Sequence, residues 1–159
     1  MSGMVDLVEF ELNGERYAMD IHLAREIVEM MPITPIPRAP SYITGVINLR
    51  GEITSIINLN NLLRITQNTD VENKKIIVLM ADTAGGSNVG IIVDDVHSVI
   101  SVSDSDIEQM GDGITSDISN FVKGIIKIGT HEDGKDRNLV IWIDMVKVLR
   151  DQVNQQQIG

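Results

Sequence analysis

GVINLRGEITSIINLNNLL, residues 45–63, carries two apolar alternating runs on either side of Arg50-Gly51 and closes on a polar-led turn. Strand alternation puts Ile47 and Leu49 on one face and Asn48 and Arg50 on the other, and Gly51 can take the positive φ that a tight hairpin demands. Two strands hinged at Gly51 are therefore expected, followed by a short helix over NLNNLL with Asn58 as its N-cap. The same stretch recurs later in the chain. Ile53 to Leu63 aligns without gaps on Leu139 to Leu149 (LVIWIDMVKVL), with Ile57 on Ile143, Asn58 on Asp144 and Leu63 on Leu149. Upstream, Ile21, Ala24, Ile27 and Val28 fall on Val93, Val96, Val99 and Ile100 at equal spacing, and Gly45 falls near Gly124. An internal duplication accounts for this pattern. Each copy is a run of about five short strands, too little apolar area to be secure alone, so the copies are expected to pack on each other.

Working outward, Val8, Phe10 and Leu12 alternate with Glu9 and Glu11, and Asn13-Gly14 turns the chain into Tyr17, Met19 and Ile21, the pattern of a β-hairpin. AREIVEM continues as a strand. Pro32, Pro35, Pro37 and Pro40, all four prolines of the chain, forbid helix and central strand and predict an extended surface strap. Residues 66–73 are polar and loop-like, and KKIIVLMAD is apolar enough for a strand buried on both faces. A turn at Gly85-Gly86, strands at VGIIV and VHSVISV, and a polar stretch from Ser103 to Asn120 capped by Ser103 or Asp104 follow. FVKGIIKIG and NLVIWID make a last hairpin, and DMVKVLRDQV a last helix. Ile (24) and Val (16) dominate while only 3% of the 159 residues are aromatic, so the core is aliphatic and mostly β. One domain over 4–150 is expected, with halves at approximately 10–65 and 74–149 between which terminal strands or a helix can exchange, and a polar tail at 151–159.

Composition excludes much chemistry. A net charge of −10 repels phosphate backbones, so nucleic acid is not an expected partner. The absence of cysteine removes disulfides, thiolate nucleophiles and zinc–thiolate sites. No apolar run is long enough to span a membrane, and Asp6, Glu9 and Glu11 replace the apolar core of a signal peptide, so a cytoplasmic protein is expected. His22, His97 and His131 lie in unrelated elements without ligand spacing. TAGGSNVG lacks the Lys-Ser/Thr of a phosphate loop and joins strands instead of opening a helix. An EF-hand loop starting at Asp104 would need Gly where Gln109 stands and a glutamate at its last position, which is missing. No catalytic residue, metal ligand or cofactor is expected. The imbalance of charge is local: residues 82–122 hold eight acids and no Lys or Arg. That module is expected to show an acidic face to a basic partner, with salt-sensitive binding.

At GVINLRGEITSIINL the chain closely resembles the CheW-like family of bacterial and archaeal chemotaxis coupling proteins, marked by NLRG on a glycine-led strand and a second strand ending in an Asp/Asn-Leu pair. The resemblance extends through FELNGERYAMDI, AREIVEM, ITPIPRAPSYITGVINLRG, VGIIVDDVHSVISV and LVIWIDMVKVL. It implies two five-stranded SH3-like β-barrels packed face to face, with short helices and a C-terminal helix. It also implies a non-catalytic adaptor, recruited to membrane-associated receptor arrays, that joins the cytoplasmic tip of methyl-accepting chemoreceptors to the regulatory domain of the histidine kinase CheA. Carried over by position, Glu26, Ile27 and Val28 match a partner-contacting strand. Gly45, Asn48, Arg50 and Gly51 match the hallmark block, with Arg50 as the polar anchor. Ser55 stands where many members have proline and Asn58 where many have aspartate. A stand-alone member fits better than the related module of CheA or CheV, since no receiver or kinase segment is present. The competing class is a small-ligand or phosphate-binding barrel using the turn from Gly85 to Gly90.

Overall fold

The computed structural model describes residues 3–65, 74–84, 86–108, 121–128 and 138–150. The N-terminal hairpin is β1 (Val5–Leu12) and β2 (Glu15–Asp20), turned by Asn13 and Gly14 at φ +50° and +82°. A three-residue 3-10 turn, Ile21–Leu23, leads to β3 (Ala24–Glu29). The proline strap runs to β4 (Ile43–Leu49) and β5 (Glu52–Asn58), and α1 (Leu59–Leu62) follows, its Asn58 side chain accepting from the Asn61 amide. Then come β6 (Lys75–Leu79), β7 (Val89–Val93), β8 (Asp95–Val102), β9 (Ile107–Glu108), β10 (Val122–Ile128), β11 (Asn138–Ile143) and a helix α2 over 145–150. The fold is mostly β, as its β-branched composition demands.

Among the described residues eleven strands form two sheets, β8-β1-β2-β11-β10-β9 and β3-β6-β7-β5-β4. Each curls around its own interior. Val28 on edge strand β3 and Ile47 and Leu49 on the opposite edge β4 meet in one apolar cluster with Ile56, Ile76, Val78 and Ile92, which a flat sheet would not permit. The other sheet closes likewise around Leu7, Ala18, Val102, Ile126, Val140 and Trp142. A third and larger cluster lies between the two barrels, built from alternate residues of the same strands, among them Phe10, Met19, Ile57, Ile77, Leu79, Ile91 and Ile143, with Leu59 and Leu62 of α1 and Met145 and Val148 of α2. β6 and β7 serve an interior on one face and the inter-barrel core on the other. Their continuous apolar runs follow from that double burial.

Pairing registers carry the duplication in detail. β4–β5 is an antiparallel hairpin with a bulge between Ile43 and Gly45, and β10–β11 repeats it with a bulge between Val122 and Gly124. β5 lies parallel to β7 with Ile56 beside Gly90, and β11 lies parallel to β2 with Trp142 beside Ala18. β3 pairs with β6 through Val28 and Ile76, and β8 with β1 through Ile100 and Leu7. Asn58 and Asp144, aligned in sequence, both cap the helix that follows. Neither barrel is built from one half alone, however: each half gives its opening hairpin to the other, β1–β2 joining β8–β11 and β6–β7 joining β3–β5. Exchange converts two marginal sheets into one interlocked unit.

Two local expectations are met and gain detail. Ser103 caps a 3-10 turn at Asp104–Asp106, its amide donating to Asp106 at 3.0 Å, and the polar stretch then adds β9, which pairs with β10 through Glu108 and Ile107. The strap is stitched down, since Thr34 and Val46 exchange backbone hydrogen bonds of 2.9 and 2.8 Å. The 66–73 loop, Gly85, residues 109–120, His131 and the 151–159 tail lie outside the described residues.

Candidate functional site

Arg50 and Gly51 are the two loop residues of the β4–β5 hairpin, and both have positive φ, +53° and +86°. A two-residue loop of that hand matches the right-handed twist of the flanking strands. Asn48 secures it by accepting from the Gly51 amide at 2.9 Å. An arginine in this conformation costs about 1–2 kcal/mol of backbone strain, and what it gains is position. Its guanidinium reaches across to Glu26 on β3 with two parallel bonds of 2.8 and 2.6 Å. Arg25 extends the cluster, lying 3.6 Å from Glu26 and 3.4 Å from Glu52.

β3 and β4 are the two edges of their sheet, so the Arg50–Glu26 clip closes the seam of the barrel. Arg50 is largely exposed while Glu26 is mostly covered. A solvent-facing pair of this kind contributes roughly 0.2–1 kcal/mol to stability. Folding alone would favour Asn or Gly at position 50. The guanidinium is thus held at the tip in fixed orientation by a pair that does little more than offset the backbone strain at Arg50.

Of the seven residues singled out in the sequence, Glu26, Asn48, Arg50 and Gly51 come together at this tip. Ile27 is 44% exposed on the outer face of β3, whereas Val28 points into the barrel interior. Gly45 is away from the tip, under the strap: a Cβ there would stand 2.2 Å from the Thr34 carbonyl oxygen. Sequence reasoning missed two members of the cluster, Glu52 and the neighbouring Ile53, which is 64% exposed on β5. Nothing in the sequence marked Ile53 as exposed; in the structure its repeat partner Leu139 is 52% exposed, as is Val99 (54%), the partner of Ile27. The duplication has kept apolar exposure at equivalent points of both barrels. Ser55 donates its amide to the Asn88 carbonyl at 3.0 Å and sits between β4 and β7, a bond that proline could not make.

No group of His, Asp and Glu suited to a metal ion occurs among the described residues. Burial pushes the Tyr42 phenol above its ordinary pKa, and burial followed by the nearby Glu15 does so for Tyr17. Neither phenol can act as a base near neutrality. Replacing Gly51 by Val should cost about 1–3 kcal/mol, because a β-branched side chain must enter a left-handed backbone although the space around it is open. A fall of several degrees in Tm is expected; an unchanged melting curve would mean the loop does not hold this conformation in solution.

The CheW-like domain family matches residues 6–153. The chain belongs to the CheW-like family. Among relatives of this CheW-like chain, a chemotaxis protein CheW of Treponema pallidum is 35% identical over 128 residues, covering 78% of this chain and 74% of the relative. One of Bacillus subtilis is 29% identical over 152 residues, covering 96% and 91%. A solved structure, the scaffolding protein TtCheW from Thermoanaerobacter tengcongensis, superposes with a TM-score of 0.73 at 34% identity, covering 89% of this chain and 85% of that one. The two-barrel CheW architecture therefore holds throughout the described residues, and no helix among them is long and apolar enough to cross a membrane.

Proposed function

We propose that this CheW-like chain is a non-catalytic chemotaxis adaptor that couples the cytoplasmic tip of methyl-accepting chemoreceptors to the regulatory domain of CheA. The observation that carries the reading is the family match along nearly the whole chain, with relatives named as chemotaxis and scaffolding proteins. The geometry supports it. An adaptor needs two docking faces, and exposed apolar side chains recur at equivalent points of both barrels. Glu26, Asn48, Arg50 and Gly51 supply an oriented polar anchor beside Ile27 and Ile53, while Gly45 and Val28 position the strands beneath it. The chain works in the cytoplasm, held at receptor arrays by its partners.

The barrel that contains β1 and β8 adds charge. Asp6, Asp95 and Asp104 are exposed on and beside β1 and β8, with no Lys or Arg among the described residues from 82 to 108. Co-sedimentation with receptor fragments and CheA from one organism tests the function. Ternary assemblies are expected in which kinase activity follows receptor state, with at least one binary contact weakening as salt rises. Failure to sediment with either partner at any ionic strength would overturn the adaptor reading. Saturable stabilisation by a nucleotide or phosphate in a thermal-shift screen would favour a ligand-binding barrel instead.

A further inference from the structure

Among the described residues the backbone passes from one barrel to the other at two places, the Ile21–Leu23 turn and Asp94 between β7 and β8. Asp94 is 2% exposed, a carboxylate in the interior at a crossover. Its amide donates to the Glu11 carbonyl at 2.9 Å. One carboxylate oxygen accepts from the Asn13 amide at 2.6 Å, in the β1–β2 turn of the first barrel. The other faces the Asn60 side-chain amide at 3.4 Å, on α1 of the second barrel. One side chain thus grips an element of each barrel. Asp20, the buried aspartate at the other crossover, binds only within its own barrel, accepting from the Trp142 indole at 2.6 Å and lying 3.3 Å from Lys123.

Asn60 is informative because it is poorly satisfied. It is 1% exposed, flanked by the core residues Leu59 and Leu62, and its side-chain oxygen has no partner among the described residues. Buried polar atoms without partners destabilise, and an apolar side chain of similar volume would remove this orphaned oxygen, though it would also take a partner from Asp94. What the amide adds is one directional bond to Asp94. The inter-barrel core is non-directional and tolerates small rotations; a hydrogen bond between a crossover and a helix does not.

We infer that Asp94, Asn13 and Asn60 form a latch that fixes the angle between the two barrels. This goes beyond the adaptor reading, and its test uses the isolated protein. Because the chain contains no cysteine, Ile53→Cys and Ser98→Cys place one spin label on each barrel without background. In Asn60→Leu the orphaned amide oxygen is removed while Asp94 loses a partner, so the melting temperature should change little, while the inter-label distance distribution broadens at least twofold. Asp94→Ala should broaden it further. An unchanged distribution in Asn60→Leu would overturn the latch. A variant with lower Tm and unchanged distances would equally reduce the cluster to ordinary packing. Should Asn60→Leu fail to fold, Asn60→Ala is read by the same distances.

Discussion

Gly45→Ala is expected to destabilise the protein by about 3–5 kcal/mol, the sum of overpacking and backbone strain. The added methyl would lie 2.2 Å from the Thr34 oxygen and 2.8 Å from Ile33 Cγ2, and the first of these is backbone that cannot rotate away. Gly45 also has φ +155° at the β4 bulge, a conformation that L side chains rarely adopt. Relief requires lifting the strap, which breaks both Thr34–Val46 hydrogen bonds and uncovers the interior beneath Met31 and Ile33. Gly51→Ala, with open space around its Cβ, is the control and should cost about 1–2 kcal/mol. Urea denaturation of the two variants measures the difference. Equal midpoints would mean that the strap does not rest on β4 as described.

This contrast shows what was legible in the sequence. The Gly51 hairpin could be read from alternation and turn chemistry, because both are local. The duplication could be read because Ile53 to Leu63 and Leu139 to Leu149 share one apolar order, and apolar order is what two equivalent barrels must conserve. Gly45 could be aligned with Gly124, yet its purpose could not be deduced, since the atom that excludes a side chain belongs to Thr34, far along the strap. Exchange of terminal strands between the halves was allowed by the sequence, but which hairpins exchange was hidden for a similar reason. Either arrangement satisfies the same alternation, and only the pairing of β5 with β7 and of β11 with β2 decides it. At the tip, Arg50 showed its capacity for a bidentate bond, but its partner could have been a neighbouring strand or another protein. The fold supplies Glu26, 24 residues away.

Separating fold from function at that pair gives the second large effect. Arg50→Asn retains a residue well suited to positive φ and removes the guanidinium, so the melting temperature should hold or rise while assembly with receptor and kinase weakens and receptor control of kinase activity is lost. Arg50→Glu should be more severe, because it sets a second carboxylate against Glu26, and Arg25 alone cannot neutralise both. Loss of a buried anchor at a protein interface typically costs at least 2 kcal/mol, or roughly thirtyfold in affinity. The exchange variant, Glu26→Arg with Arg50→Glu, discriminates between two roles. If the pair only closes the barrel seam, the exchange restores the ion pair and with it kinase control. If the guanidinium is an oriented anchor for a partner, the exchange restores stability but not assembly, because the charge presented outward is reversed. The second outcome is expected, since a pair that little more than offsets the strain it maintains contributes little to folding, whereas it fixes the direction of the guanidinium. Wild-type kinase control in Arg50→Asn, at equal protein level, would remove the anchor role.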